Sequence, residues 1–141
     1  MNLDAIDFLK KNQVGVIATC NKGRPHAVPI YYHFNTDDEC IYFITKEEAQ
    51  KVKNLKANKS AFFTVYTKSP QVVFRAECKA VLDIKKSLVM TEIISTLVGI
   101  HTIQLYQPTP IDVLDKGNMK LIKLKIEGYK FDEYNKEIIP N

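Results

Sequence analysis

Thr45, Lys46 and Lys51 are the residues whose types and spacing first suggest chemistry. They flank the point where an apolar run, Ile41-Tyr42-Phe43-Ile44, gives way to a helical pattern beginning at Glu47. A helix N-terminus presents unpaired N–H groups and about half a unit of positive charge. A hydroxyl and two ammonium groups beside it would make a seat suited to a phosphate. The same residues also have a structural reading. Thr45-Lys46-Glu47-Glu48 fits a capping box, in which Thr45 caps the helix and Glu48 bonds back to it. Glu47 and Glu48 add negative charge near any bound anion, and Lys51 is one of many lysines with a solvated surface as its default place. The local pattern leaves both readings open. Arg24, between Gly23 and Pro25, is a turn residue that could also reach an anion from a hairpin tip.

Several other chemistries lack their residues. His26, His33 and His101 show no ligand spacing and no H-E-x-x-H, so no metal site is expected. There is no G-x-S-x-G elbow, no G-x-G-x-x-G and no P-loop. Tyr31, Tyr32, Tyr42, Phe62, Phe63 and Tyr66 fall on strand-like runs without the interleaved lysines of a single-stranded nucleic-acid platform. With a net charge of only +4, no nucleic-acid partner is expected. Cys20, Cys40 and Cys78 are odd in number and form no C-x-x-C pair, which suits buried, reduced thiols in a cytoplasmic protein. The first residues carry acids rather than a basic start and apolar core, and no apolar run reaches the roughly 20 residues of a membrane span.

The elements that must position these residues follow from periodicity. The 141 residues, 45% hydrophobic and 26% charged, suit one globular domain over residues 1–141. Leu3, Ile6, Phe8 and Leu9 predict an opening helix with Asn2 as N-cap, ending near Asn12. Strands are predicted over residues 14–20, 27–34 and 40–45, joined as a meander by turns at Asn21-Lys22-Gly23 and near Asp38. Pro29 confines the second of these to an edge or a bulge. A helix over 47–58 would turn Ala49, Val52 and Leu55 inward. Strands over 61–66 and 72–84 follow, the second alternating over thirteen residues and therefore expected to curl. A helix over 85–98 would bury Leu88, Ile93, Ile94 and Leu97. Residues 99–117, with Pro108 and Pro110, have no clear pattern. Strands over 119–126 and 129–134 close the chain, with Gly128 marking a bulge. The expected fold is mainly β: six to seven antiparallel strands in a small closed or split barrel with flanking helices. Small barrels fill their interior with side chains, so a ligand would sit outside the barrel or between two copies.

The order of Gly-Arg-Pro-His-Ala-Val-Pro-Ile (23–30), Tyr-Phe-Ile-Thr (42–45) and Lys-Val-Lys-Asn-Leu (51–55) resembles the pyridoxamine 5′-phosphate oxidase-like family of FMN-binding split barrels. The resemblance runs over residues 5–84 and ends with Arg75-Ala-Glu-Cys-Lys-Ala80, where the family often has glycine in place of Cys78. It implies a homodimer with FMN at the subunit interface. Thr45, Lys46 and Lys51 match the positions that bind the flavin phosphate. Val28, Pro29, Ile30 and Tyr31 match the strand whose backbone lies against the isoalloxazine ring. The departures are also specific. True pyridoxamine phosphate oxidases have arginine at Val28, lysine at His33, serine and arginine at Ala49-Gln50, and a tryptophan-containing tail. This chain has no tryptophan and runs Tyr129-Lys-Phe-Asp-Glu-Tyr134 there. The resemblance therefore implies a divergent flavin-dependent oxidoreductase acting on some other small molecule, possible donors including NAD(P)H. A non-catalytic flavin- or haem-binding sensor or carrier is the alternative. His33 and Tyr31 are the only candidates for acid–base work near the expected ring.

Overall fold

The computed structural model describes residues 1–84, 88–101 and 118–134. Among these residues three helices, α1 (Leu3–Lys11), α2 (Gln50–Ala57) and α3 (Leu88–His101), accompany seven strands. The strands are β1 (Val14–Asn21), β2 (Arg24–Tyr31), β3 (His33–Asn35), β4 (Cys40–Lys46), β5 (Ser60–Thr67), β6 (Val72–Val81) and β7 (Met119–Glu133). They form one sheet in the order β2-β1-β5-β6-β7-β4-β3, and every pairing is antiparallel. This is the mainly β split barrel the sequence predicts.

The two ends of that order are a single run of chain. Residues 24–31 pair with β1, with Tyr31 opposite Val14, and residues 33–35 pair with β4, with His33 opposite Tyr42. The chain thus changes partner at Tyr32 and closes the sheet upon itself. A simple meander over 14–45 is corrected accordingly: the predicted strand 27–34 is two strands serving opposite sheet edges. Pro29 lies on the edge strand β2, where a missing N–H costs no central ladder bond.

The barrel interior takes alternate residues. On β6, Val72, Phe74, Ala76, Cys78 and Ala80 are buried, while Arg75, Glu77 and Lys79 are exposed. Ile17, Ile41, Phe43, Phe63, Ile122 and Leu124 join them, with Val52 and Leu55 from α2 and Leu9 from α1. A second cluster lies outside the barrel wall. Cys40, Tyr42 and Ile44 on β4 and Leu121 on β7 pack against Ile93, Ile94, Leu97 and Val98 of α3. Burial on both faces explains why β4 reads as one continuous apolar run.

The element boundaries shift where tertiary pairing overrides local pattern. β6 ends at Val81, not at Ile84, because β5 begins opposite Lys79 and no longer flanks it. The two predicted final strands are one strand, β7, and its register with β6 slips beside Gly128 because Glu127 has no partner. The opening helix begins as predicted, with the Asn2 side chain accepting from the Asp4 N–H at 2.7 Å. The start of the predicted helix at 85, and Pro108 and Pro110 within the unpatterned stretch, lie outside the described residues. The inward placement of Leu88 lies outside them too. Among the described residues, no helix is long and apolar enough to cross a membrane.

Candidate functional site

The split in the barrel lies where β3 stops pairing. β4 pairs with β3 only through Cys40, Ile41 and Tyr42, so Phe43–Lys46 have no neighbour on that side. β2 in turn has β1 on one side only. The outer edge of β2 and the last residues of β4 are the two margins of the opening, and β4 leads on to α2.

The capping box does not form. Thr45 remains in the sheet opposite Lys120, and Lys46 opposite Met119. The Glu47 N–H still donates across to the Asn118 carbonyl at 2.8 Å, and the Ala49 N–H turns back to the Lys46 carbonyl at 3.1 Å. The helix therefore begins at Gln50, three residues later than the pattern suggests. Its N-cap is Ala49, in extended conformation, and no side chain caps it. The first turn contains no acid. Glu47 and Glu48 lie in the preceding turn and are exposed, so the expected conflict between these acids and an anion is weaker than the sequence suggests.

Lys51 occupies that first turn and is half-buried. Burial pushes its pKa below the ordinary lysine value. Among the described residues it has no carboxylate partner. The Thr45 side chain is buried, and its hydroxyl makes no hydrogen bond among the described residues. Lys46 is exposed. A half-buried, unpaired ammonium beside uncapped N–H groups is an arrangement that an anion would complete.

The β2 residues divide by face. Val28 and Ile30 turn toward the core, whereas Pro29 and Tyr31 are exposed. Their side chains cannot all reach one ligand, but all four belong to the edge strand β2, whose outer side has no strand beside it among the described residues. Next along the chain, Tyr32 turns inward, and its hydroxyl donates to the Leu9 carbonyl at 2.7 Å.

His33 is half-buried opposite Tyr42. Burial lowers its pKa, and the Asp38 carboxylate partly opposes that shift. Asp38 is the hub of a small polar group: the Tyr42 hydroxyl and the Cys40 N–H donate to it, and Lys123 Nζ lies 3.4 Å away. Burial first, then the bond to Asp38, hold the Tyr42 phenol well above its usual range.

Three further residues fix α2 and carried no strong sequence signal. Gln50 Nε2 donates to Asn54 Oδ1 at 2.8 Å, and Asn54 Nδ2 donates to Thr19 Oγ1 at 3.0 Å. Asn54 and Thr19 are both buried. The available hint was an asparagine beside Leu55 on the inward arc of the helix. Asn21, Lys22 and Arg24 of the β1–β2 hairpin line a cavity of about 540 Å³ together with Gln50 and Asn54. Arg24 thus does face the start of α2.

The three cysteines are free thiols, and among the described residues no group of histidine, cysteine and acid could hold a metal ion.

Solved structures of similar fold are widespread at low identity. A conserved hypothetical protein from Mycobacterium tuberculosis superposes with a TM-score of 0.75 at 19% identity, over 100% of this chain and 90% of that one. A FAD-binding protein from Mesorhizobium loti gives 0.70 at 18% identity, over 92% and 90%. The haem storage protein HutZ from Vibrio cholerae gives 0.66 at 13% identity, over 91% and 92%. No curated protein sequence matches the chain. Residues 4–131 match the sequence profile of pyridoxamine 5′-phosphate oxidase. That span runs from α1 into β7 and includes both margins of the split, and the chain belongs to the pyridoxamine 5′-phosphate oxidase family.

Proposed function

We propose that the chain binds a flavin through its mononucleotide portion, FMN in the simplest case, and acts as a flavin-dependent oxidoreductase on a small molecule other than a B6 vitamer. The observation that carries this is Lys51: half-buried, without a partner among the described residues, and in the first turn of a helix that none of their side chains caps. Lys51 neutralises the flavin phosphate, the α2 N–H groups bond its oxygens, and Thr45 and Lys46 flank it. The edge strand β2 lays its backbone at Val28, Pro29, Ile30 and Tyr31 along the ring. The flavin, when bound, supplies the redox chemistry, and the protein orients it and tunes its surroundings. His33, whose buried setting favours the neutral imidazole, is positioned to exchange a proton at the mouth of the split.

A second copy completes the site in this reading. Val14, Val16, Phe62 and Tyr66 on the outer face of β1 and β5, and Tyr31 beside them on β2, are 40–56% exposed. The register sets Val14 against Tyr31 and Ala18 against Phe62, so these side chains form one apolar face. Such a face is what a homodimer interface would cover. We place the protein in the cytoplasm, where its three cysteines stay reduced.

The test is to load purified protein with FMN and mix it anaerobically with NADH or NADPH. Bleaching of the flavin supports an oxidoreductase. A protein that binds flavin but is not reduced by any common donor is a carrier, and one that binds no flavin overturns the reading. The fold shared with a haem storage protein favours one alternative, a flavin- or haem-binding carrier. Haem titration with a Soret shift would detect it.

A further inference from the structure

A cavity lies between the β1–β2 turn and the start of α2, bordered by Gln50, the residue before Lys51. It is lined by Asn21, Lys22, Arg24, Gln50 and Asn54 and has a volume of about 540 Å³. That lies well within the roughly 300–1,000 Å³ of small-molecule sites and is far more than one phosphate fills. Its lining carries two cations and no acid. Three other cavities among the described residues each include at least one carboxylate: Glu39, Glu77 and Glu127 are examples. The side chains of Lys22 and Arg24 make no ion pair or hydrogen bond among the described residues. Their charges stand together only because the chain turns sharply, with Lys22 at φ 54° and Gly23 at φ 76°.

A separate observation lies on the same hairpin. His26, two residues beyond Arg24, has its Nδ1 buried with no hydrogen-bond partner among the described residues. It sits in register with Thr19, whose hydroxyl accepts from the cavity-lining Asn54. Buried polar atoms are normally paired, so this one, in register with a residue bonded to the cavity-lining Asn54, has room for a further partner. The amides of Gln50 and Asn54 are already committed to each other and to Thr19 and so hold a fixed position. They leave the ligand's charge to Lys22 and Arg24.

We propose that this cavity takes a second phosphate, so that the ligand the site prefers is a flavin bearing a diphosphate, as in FAD, rather than one bearing a monophosphate. The inference rests on the flavin reading above. In it, Lys51 and the α2 N–H groups hold the phosphate nearest the ring, and Lys22 and Arg24 hold the next. Electrostatic capture at an exposed turn makes the second contact sensitive to salt.

The test compares FMN and FAD affinities, by quenching of flavin fluorescence, in the full chain and in Lys22→Asn/Arg24→Gln. Asparagine suits the positive φ at position 22, so the variant keeps the turn while losing both charges. The wild type binds FAD about tenfold more tightly than FMN, and the variant loses that advantage while its FMN affinity stays within about twofold. An FAD advantage below about twofold, or one that survives removal of both cations, overturns the inference and leaves the flavin reading standing. Binding of neither flavin overturns both. A nicotinamide dinucleotide could supply the same diphosphate. In that case the variant raises the NADPH concentration needed for flavin reduction without weakening FAD, which overturns the assignment to flavin.

Discussion

The amide of Asn54 donates to the hydroxyl of Thr19 at 3.0 Å, and both side chains are almost fully buried. This bond ties the inward face of α2 to β1, and with it the direction in which the helix aims its first turn. Replacing Asn54 by leucine removes the donor and leaves the buried Thr19 hydroxyl without its partner, while the exposed Gln50 amide turns to solvent. An unsatisfied buried polar group costs about 1–3 kcal/mol. Urea unfolding of Asn54→Leu is expected to show a loss of that size, and flavin affinity should fall with it. A double Thr19→Val/Asn54→Leu substitution should recover part of the stability, because both polar partners then leave together.

Lys51 and Lys53 lie two residues apart on α2 but differ in setting: Lys51 is half-buried and Lys53 exposed. Lys51→Ala is expected to weaken FMN binding by about 10–100-fold, the equivalent of one charge-assisted hydrogen bond, and Lys53→Ala by less than about twofold. Equal losses in a binding titration would mean that only general charge matters.

The pH dependence of the ligand-free protein follows from the same lysine. Burial lowers the folded pKa of Lys51 below its ordinary value of 10.5. Between the two values the unfolded chain holds the extra proton, so stability rises with pH across that window and is lowest below it, where the folded ammonium is charged. Lys51→Met should therefore raise the midpoint of thermal unfolding at neutral pH without ligand, and should flatten the rise toward alkaline pH. With a phosphate ligand bound the order reverses and the wild type is the more stable. A Lys51→Met variant that is less stable than the wild type when ligand-free would show that its ammonium already has a favourable partner.

Much of this was legible in the sequence. Strict alternation along Val72–Val81 and the inward arc of Val52 and Leu55 gave strand and helix directly, because each element packs one face on the barrel core. The change of partner at Tyr32 was not legible: the residues on either side alternate normally, and only the barrel's closure decides that the strand must serve two edges. The start of α2 was misplaced for a similar reason. Thr45-x-x-Glu48 is a sound local cap, but the residues after Thr45 cannot enter a helix: Lys46 still pairs with Met119 of β7, and the Glu47 N–H donates to the Asn118 carbonyl. The contribution of Asn54 was hidden because a buried asparagine and a solvated one look alike without their partners.

Gly15 offers a test of the barrel's packing. A Cβ there would lie 2.5 Å from Phe63 Cζ and 3.0 Å from the Thr64 carbonyl. The Phe63 ring is fully buried and meets the Tyr32 ring edge-on at 5.1 Å, so it has little room to withdraw. Gly15→Ala should destabilise by about 1–3 kcal/mol in denaturant titration despite the small volume added. Gly23→Ala, with nothing within 4 Å of its added Cβ, is also expected to destabilise, but through its positive φ. A neutral Gly15→Ala would mean that the Phe63 ring can shift freely and that the core at this end is loosely packed.

The apolar outer face provides the last prediction. Val16 lies on β1 with Pro29 of β2 on one side and Thr64 of β5 on the other, at the centre of the exposed face. A lysine there stays solvent-exposed in a single chain and should leave its folding nearly unchanged, since surface substitutions usually act within about 0.5 kcal/mol. Buried between two copies, it would place two unpaired charges in an apolar interface, and that is strongly unfavourable. Sedimentation analysis is therefore expected to show a dimer for the wild type and a monomer for Val16→Lys, with flavin binding lost along with the dimer. A wild type that is monomeric at micromolar concentration and still binds flavin would refute a site shared between two chains, and would return the whole ligand to the split between β2 and β4.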